Sequence, residues 1–318
     1  MAFKKIVVAG SSGNLADHVL KALLDCTTPK FDVTVLTRSN SGKKVSVPGA
    51  RVVPVNYGDK ADLAAAVSGA DAIMNLVSGK VGGVVDKQLL EAAKETGVRR
   101  IFPCWCGMDV LHPSAVALFT RPDGSPLAPV VSPVQDARKF LALAEENSTV
   151  SFTTLIPSLF IDAALEGRFG TIEPQNRKIT LFDDGKHHVT GSSLPFIGAC
   201  FVAVLQMDEE KTKNKRIRVA EVRTSLKEIA ETFEKVTKLE FEKVPVSIES
   251  MLAKRQKALE EGQIIPAFYT SLMTAVFNGS GAGDIEDGLQ FDGDGFLTLK
   301  RKSIEELVTE AVAKVDIA

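Results

Sequence analysis

The sequence predicts an α/β protein, a doubly wound parallel sheet with a smaller C-terminal lobe. Short apolar, β-branched runs alternate with helical segments through the first half of the chain. Each run is about five or six residues long and is followed by an amphipathic helix, as expected for a parallel sheet covered on both faces. The first run leads through a glycine-rich turn directly into a helix. At 318 residues the chain is long enough for this domain and a second lobe.

The elements of the first half follow in a regular order. They are KKIVVA, NLADHVLKALL, FDVTVLT, ARVVPV, KADLAAAV, ADAIMNLV, GVVDKQLLEAAKE and VRRIFP. SPVQ, beginning at Ser132, is typical of a capping box with proline at the first helical position, which predicts a helix over 133–146. VSFTTLIP, at 150–157, alternates as a sixth strand does.

The pattern is looser beyond residue 157. We predict a turn at DDGK, a strand at IRVAEV, an apolar helix over 195–206, and amphipathic helices over 226–236, 248–259 and 304–315. The stretch 263–283 is uncharged but is interrupted by Pro, Asn and Gly. We therefore assign 1–157, with 190–222 returning to it, to the doubly wound domain, and 158–189 with 223–318 to the smaller lobe.

Composition indicates a small-molecule partner. Lys and Arg number 38 against 40 Asp and Glu, a net charge of −2 without runs of like charge, which argues against nucleic acid and membrane surfaces. Four cysteines in a chain of this size do not resemble a secreted disulfide framework, and the apolar run near the N-terminus is too short for a signal peptide. We expect a cytoplasmic monomer or homodimer.

The glycine turn is the candidate cofactor site. Gly10, Gly13 and Ala16 have the spacing G-x-x-G-x-x-A at the first strand-to-helix junction. There, backbone N–H groups and the helix N-terminus suit a pyrophosphate, and this structural context gives weight to a spacing that is weak evidence alone. The expected contacts from this turn are Gly10, Ser12, Gly13, Asn14 and Leu15.

The end of the second strand indicates NADP(H). NAD sites usually place Asp or Glu here for the ribose 2′-hydroxyl, whereas this chain has Arg38, which suits a 2′-phosphate. Ser39 and either Lys43 or Lys44 follow it; the alternative is a solvated loop with ordinary basic residues. NLVSG is expected to pass under the adenine side of the cofactor. Its predicted contacts are Val77, Ser78 and Gly79.

The segment IFPCWCGMD follows the fifth strand, at the edge of the sheet where such folds bind ligands. Pro103 is a predicted cofactor contact, and Trp105 and Met108 are predicted substrate contacts, with the indole as an aromatic wall. The alternative for Trp105 is a side chain that caps the core under a loop. Cys104 and Cys106 are candidate catalytic thiols, which requires a lowered pKa; small pocket-lining residues are the other interpretation.

No metal is expected. Cys-x-Cys offers only two ligands without a second pair nearby in the sequence. The loop FDGDGFLTL has Asp292 and Asp294, but Phe296 and Leu297 occupy the positions where a calcium loop needs a ligand and a glycine.

Several segments together resemble a known family. VVAGSSGNLADHVLKALL, VTVLTR, GADAIMNLVSG, RRIFPCWCGMD, FTTLIPSLFID and LFDDGKHHVTGSSLPFIG are similar to NmrA-like and isoflavone-reductase-like atypical short-chain dehydrogenases, most nearly the fungal forms. This resemblance spans most of the chain. It implies a Rossmann domain, NADP(H), and a lobe that receives a phenolic or polyketide-like substrate. It also implies that Phe160 contacts the substrate near the nicotinamide.

The chain departs from the family at two places. The fifth strand of the family usually ends Pro-Ser-Glu-Phe-Gly, where this chain has PCWCG. The family's proton-transfer lysine corresponds to Val134, or to Gln135 if the register shifts by one, so it is missing; Lys139 lies on another helix face. The pair Tyr-x-x-x-Lys of ordinary short-chain dehydrogenases is absent at both tyrosines, Tyr57 and Tyr269.

Histidine is the natural replacement for a missing acid near neutral pH. His187 and His188 follow the DDGK turn, so His188 is a candidate general acid and His187 a candidate substrate contact; exposed turn histidines are the alternative. Three functions follow. They are an NADPH-dependent reductase of an aromatic or polyketide-derived metabolite, a redox-neutral enzyme such as an isomerase, dehydratase or cyclase, and a non-catalytic NADP(H) sensor that binds a protein partner.

Overall fold

The computed structural model describes residues 3–40, 42, 45–77, 79–121, 123–128, 132–146, 149–286 and 299–317. The strands are β1 Lys5–Ala9, β2 Asp32–Arg38, β3 Arg51–Val55, β4 Ala72–Asn75, β5 Arg100–Phe102, β6 Ser151–Ile156, β7 Leu159–Phe160, β8 Ile172–Glu173, β9 Lys178–Phe182, β10 His188–Ser192, β11 Lys215–Arg218, β12 Val222–Ser225 and β13 Glu242–Val246. The helices are α1 Asn14–Asp25, α2 Lys60–Val67, α3 Gly79–Thr96, α4 Pro113–Phe119, α5 Pro133–Glu145, α6 Ile161–Leu165, α7 Leu194–Gln206, α8 Glu209–Thr212, α9 Leu226–Thr237, α10 Ile248–Glu260, α11 Ile264–Phe277 and α12 Ile304–Val312.

Seven strands form one parallel sheet in the order β11-β6-β5-β4-β1-β2-β3. Every neighbouring pair in it is parallel. The strand order reverses between β1 and β4, which opens a crevice at the carboxyl ends of these two strands. The doubly wound fold predicted from the sequence is confirmed.

Helices cover both faces of this sheet. On one face α1 and α7 pack against each other, and apolar side chains such as Val19 and Phe201 share a core with Val8 and Phe102. Gly198 permits this close packing, because a Cβ there would lie 2.7 Å from the carbonyl oxygen of His18. On the other face α2, α3 and α5 cover a second core.

The smaller lobe contains two three-stranded sheets, β12-β10-β7 and β13-β9-β8. A third core fills it, with aromatic pairs between Phe182 and Phe277 and between Phe233 and Phe241. Strand β7 comes directly after β6 of the main sheet, so the lobe lies at the carboxyl edge of the large sheet. No helix in the described ranges is long and apolar enough to cross a bilayer.

One expectation about the strands was wrong. IRVAEV is not one strand, because β11 ends at Arg218 in the main sheet and β12 begins at Val222 in the lobe. Between them the chain turns inward so that Glu221 accepts the N–H of Ser193 at 2.8 Å. Strand β10 pairs with β7 and β12, whereas α7, which follows it, packs against α1. The uncharged stretch after residue 263 forms α11, whose interior Pro266 sits in the first turn, where no N–H is required.

The capping box predicted at Ser132 does not form, although α5 does. No side chain caps this helix in the described structure, and the Ser132 hydroxyl instead donates to the carbonyl oxygen of Ala128. Asp292 and Asp294, considered above as calcium ligands, lie outside the described residues.

Candidate cofactor and substrate site

The glycine turn after β1 is shaped by a close backbone approach. Gly10 has φ +98°, and a Cβ there would lie 3.0 Å from both the carbonyl carbon and oxygen of Leu76 and 3.1 Å from the nitrogen of Val77. The Gly10 N–H donates to the carbonyl of Leu36 at 3.3 Å. The turn is therefore wedged between the ends of β2 and β4, where only glycine fits.

The start of α1 presents an open anion site. Gly13, with φ +132°, is the N-cap, and no side chain in the described structure caps the helix. A Cβ at Gly13 would meet no atom within 4 Å, and Ser12 and Asn14 are exposed while Leu15 is half-buried. The free N–H groups and helix dipole at this end suit a pyrophosphate. The residues present thus fit a dinucleotide.

Arg38 is the last residue of β2 and is exposed. Ser39 is fixed by its N–H, which donates to the carbonyl of Val55 at 2.9 Å. No carboxylate pairs with Arg38 among the described residues, so its guanidinium is available to a phosphate. Tyr57 lies close to it; burial raises the pKa of this phenol to about 12, against an opposing effect of the Arg38 charge. Lys43 and Lys44 lie outside the described residues.

The end of β4 forms the next part of the crevice. The Asn75 side chain is buried, and its Oδ1 accepts the N–H of Val77 at 3.2 Å. Gly79 begins α3 with open space where a Cβ would be. Ser78, the third predicted contact here, lies outside the described residues.

Asp86 is a buried acid that the sequence analysis missed. It lies on α3, and its side chain is 0% exposed. Its Oδ1 accepts a hydrogen bond from the Asn75 side-chain amide at 2.7 Å. The N–H of Cys104 donates to both carboxyl oxygens, at 3.0 Å to Oδ1 and 3.2 Å to Oδ2. Burial, together with the charge of Asp136, raises the pKa of Asp86 to about 7. The amphipathic pattern of α3 marks this position as inward-facing, so an acid there was a signal.

The cysteines after β5 do not have the properties of catalytic nucleophiles. Burial, followed by the charge of Asp86, raises the pKa of the Cys104 thiol well above its usual value, and burial raises the pKa of Cys106 to about 12. Both are therefore thiols at neutral pH, contrary to the catalytic interpretation. Cys106 packs against the α1 and α7 core, and Pro103 is buried.

Trp105 does not stand free as a substrate wall. Its ring packs edge-to-face on Phe140 of α5, with centroids 5.5 Å apart, and adds to the core under α3 and α5. The indole N–H is buried without a partner in the described structure. The backbone turns tightly here, since the Cys106 N–H donates to the Cys104 carbonyl at 3.0 Å, and Trp105 packs on one core while Cys106 packs on the other. This arrangement matches the core-capping alternative.

Met108 and Phe160 pack against different cores. Met108 is half-buried between the lobe core and the cluster around α4. Phe160 is half-buried against the α1 and α7 core, and its backbone pairs with Ser192. Both remain substrate contacts only as predictions.

His187 and His188 lie at the start of β10, at the opposite end of this strand from Ser192. His188 begins β10, is exposed, and pairs with Ser225 of β12. It lies four residues, roughly 13 Å along the strand, from Ser192, which pairs with Phe160. His187 Nε2 is 3.3 Å from Asp183 Oδ2 in the same turn. The general-acid interpretation of His188 is therefore replaced by the exposed-turn alternative.

The first turn of α5 contains no lysine. Val134 is fully buried in an apolar cluster with Phe119 and Ala282. The side-chain amide of Gln135 is buried and has no hydrogen-bond partner among the described residues. Lys139 is exposed and lies near Asp136. A basic group is thus missing from the position that the family resemblance assigns to it.

A glycine-rich segment, 278–284, crosses the carboxyl ends of β5 and β6. The Ala282 carbonyl accepts the N–H of Asp109 at 3.2 Å. The Gly283 carbonyl accepts the Ser158 hydroxyl at 2.7 Å and the Thr190 N–H at 3.0 Å. The sequence NGSGAGD was a visible signal for a close approach, but its partners are distant in the chain.

Within the described ranges, no group of three or more His, Cys, Asp or Glu residues can hold a metal.

Comparisons place this arrangement among known proteins. The model of the NmrA-like family matches residues 2–119. The oxidoreductase aprR of Aspergillus flavus is 23% identical over 263 residues, which is 82% of this chain and 83% of that protein. The bifunctional pinoresinol-lariciresinol reductase 1 of Linum usitatissimum is 23% identical over 280 residues, 83% and 85% of the two chains. The binary complex of leucoanthocyanidin reductase and NADPH from Vitis vinifera has the same fold, with TM-score 0.71, 19% identity, and 97% and 99% coverage.

Proposed function

Because this chain belongs to the NmrA-like, isoflavone-reductase-like family, we propose that it is an NADPH-dependent reductase of a small aromatic or polyketide-derived metabolite. The observation that carries the proposal is the open glycine turn at the start of α1, with Arg38 at the neighbouring strand end; among the described residues, no side chain caps this helix and no carboxylate pairs with Arg38. Relatives named as oxidoreductases and lignan reductases, and a neighbour solved with NADPH, support it.

Each part of the crevice has a role in this proposal. The backbone of Gly10, Gly13 and Asn14 holds the pyrophosphate, and Arg38 holds the 2′-phosphate. A bound NADPH supplies a hydride. Met108 and Phe160 contact the substrate, as in the prediction from sequence.

The proton that accompanies the hydride comes from water or from the substrate itself. A general acid must lie within hydrogen-bond reach of the atom that it protonates. His188 lies at the far end of β10, and the buried thiols hold their protons too tightly to serve. A substrate whose reduced form is a phenolate or another stabilised anion meets this requirement, since solvent protonates it after transfer.

A redox-neutral reaction is the second candidate. The burial of Val134 in an apolar cluster and the neutral amide of Gln135 favour it, because neither residue transfers a proton. The third, a sensor that binds NADP(H) and a protein partner, uses the same cofactor crevice without turnover.

A titration followed by a substrate screen tests these functions. NADPH and NADH are titrated by calorimetry, with Trp105 fluorescence as a second signal, and phenolic and polyketide substrates are then screened. Loss of NADPH absorbance with substrate reduction supports the proposal, and turnover at constant absorbance supports the redox-neutral enzyme. Binding without turnover favours the sensor. If neither dinucleotide binds, the proposed function is wrong.

A further inference from the structure

We propose that Asp86 is a positioning residue of the cofactor site: its buried carboxyl fixes the loops after β4 and β5 relative to each other and to the glycine turn. The inference rests on the proposed function, since these loops are the ones that receive the dinucleotide. Nothing in the sequence pattern assigns this role to α3.

The first step of the argument is the direct contacts of the carboxyl. Oδ1 accepts the Asn75 amide at 2.7 Å, and both oxygens accept the N–H of Cys104, at 3.0 and 3.2 Å. Asn75 ends β4, and Cys104 lies two residues after the end of β5. One side chain of α3 therefore joins the ends of two adjacent strands.

The contacts continue to the glycine turn. The same Asn75 side chain accepts the N–H of Val77 at 3.2 Å and donates to the Gly82 carbonyl at 3.2 Å. The Val77 nitrogen lies 3.1 Å from the position of a Cβ on Gly10. A shift of Asn75 would thus alter the wall against which the pyrophosphate turn packs.

The acid is costly to bury, which argues against a role in stability alone. No Lys, Arg or His pairs with Asp86 among the described residues, and the ionisable groups that face it are the Cys104 thiol and Asp136 of α5. Asp136 in turn faces Lys139. An apolar side chain at position 86 would avoid the desolvation of a carboxyl, but it would remove the shorter of the two hydrogen bonds of the Asn75 amide and leave the Cys104 N–H without its acceptor.

Three variants separate positioning from general stability. Asp86→Ala removes the acceptors, and Asp86→Asn retains one carbonyl oxygen in the same place. Asp136→Asn is the matched control, because it removes a neighbouring carboxylate that has no hydrogen bond to either loop in the described structure. Amide hydrogen exchange at Cys104 and Val77 is measured by NMR in each protein, together with the global unfolding free energy and NADPH affinity by calorimetry between about pH 6 and about pH 8.

Asp86→Ala is expected to speed exchange at Cys104 and Val77 and to weaken NADPH binding by about tenfold or more, the scale of a lost charge-assisted hydrogen bond. Asp86→Asn is expected to restore most of the protection from exchange and most of the NADPH affinity. It also removes the part of the pH dependence of NADPH affinity that comes from titration of the Asp86 carboxyl. Asp136→Asn resembles wild type in exchange. Asp86→Asn keeps the test available if Asp86→Ala does not fold, since the difference in pH dependence then decides.

Unchanged exchange at Cys104 and Val77 in both Asp86 variants overturns the inference. It is also overturned if NADPH affinity falls only in step with global stability, as it would for any destabilised variant. These outcomes differ from failure of the proposed function, in which wild-type protein binds no dinucleotide while the exchange data still report whether Asp86 fixes the loops.

Discussion

The α-carbon of Gly82 lies against the Cys104 thiol so closely that a Cβ at position 82 would overlap the sulfur. This contact brings α3 onto the loop after β5 and allows Asp86, one helical turn further on, to reach the Cys104 N–H. The small residue and the buried acid thus act at the same junction.

Gly82→Ala is expected to destabilise the protein by about 1–3 kcal/mol, the usual effect of overpacking, despite the better helix propensity of alanine. Gly79→Ala, in the same helix with open space at its Cβ position, is the control and should be neutral or stabilising. Chemical denaturation measures both. Adding Cys104→Ala should recover part of the loss, and no recovery would show that the sulfur is not the obstacle.

Replacing Arg38 with Asp should weaken NADPH binding by about 10- to 100-fold and bring NADH affinity level with it or above it. The reason is the loss of charge-assisted hydrogen bonds to the 2′-phosphate and the gain of an acceptor for the 2′-hydroxyl. Arg51→Asp, at the opposite end of the neighbouring strand, controls for the change in net charge. Calorimetric titration with both dinucleotides decides; equal effects of the two substitutions would remove the 2′-phosphate assignment.

The free energy of unfolding should fall as pH rises from about 4 to about 7, because of the titration of Asp86. Its pKa is raised from 3.8 to about 7 in the folded protein, so over this range the folded state keeps a proton that the unfolded chain releases. The stabilisation from this proton is fully present below the pKa of Asp86 in the unfolded chain. It is lost as the pH rises through the pKa of Asp86 in the folded protein. Denaturation of wild type and Asp86→Asn at several pH values measures it. Asp162 and Glu221, whose pKa values are also raised, are common to both proteins, and a parallel pH dependence would contradict the prediction.

Gln135→Lys should create or raise reductase activity if the missing base limits the reaction. Gln135 is only partly buried, and its amide has no partner among the described residues, whereas Val134→Lys would bury an ammonium in an apolar cluster and destabilise the fold. NADPH oxidation with phenolic substrates is the assay, and Lys139→Gln is the control on the exposed face. No gain from a folded Gln135→Lys protein would direct attention to the redox-neutral reaction.

The sequence by itself determined that the main sheet is doubly wound with parallel strands, and that a glycine turn follows its first strand. These depend on local patterns: apolar runs of strand length, amphipathic helices, and a glycine at a junction where Gly10 must take a positive φ. Local signals also identified α5, although the expected cap at Ser132 was replaced by a bond to Ala128.

Only the tertiary structure decided which way the side chains after β5 point and what they meet. Trp105 packs against Phe140, and Cys106 packs in the opposite core. His188 lies at the far end of β10. Asp86 gained its significance from Asn75 and Cys104, which are 11 and 18 residues away in the chain. The periodicity of apolar residues indicates whether a side chain faces inward. Which side chain it contacts there depends on how elements that are distant in the chain pack together, so the local sequence does not determine it.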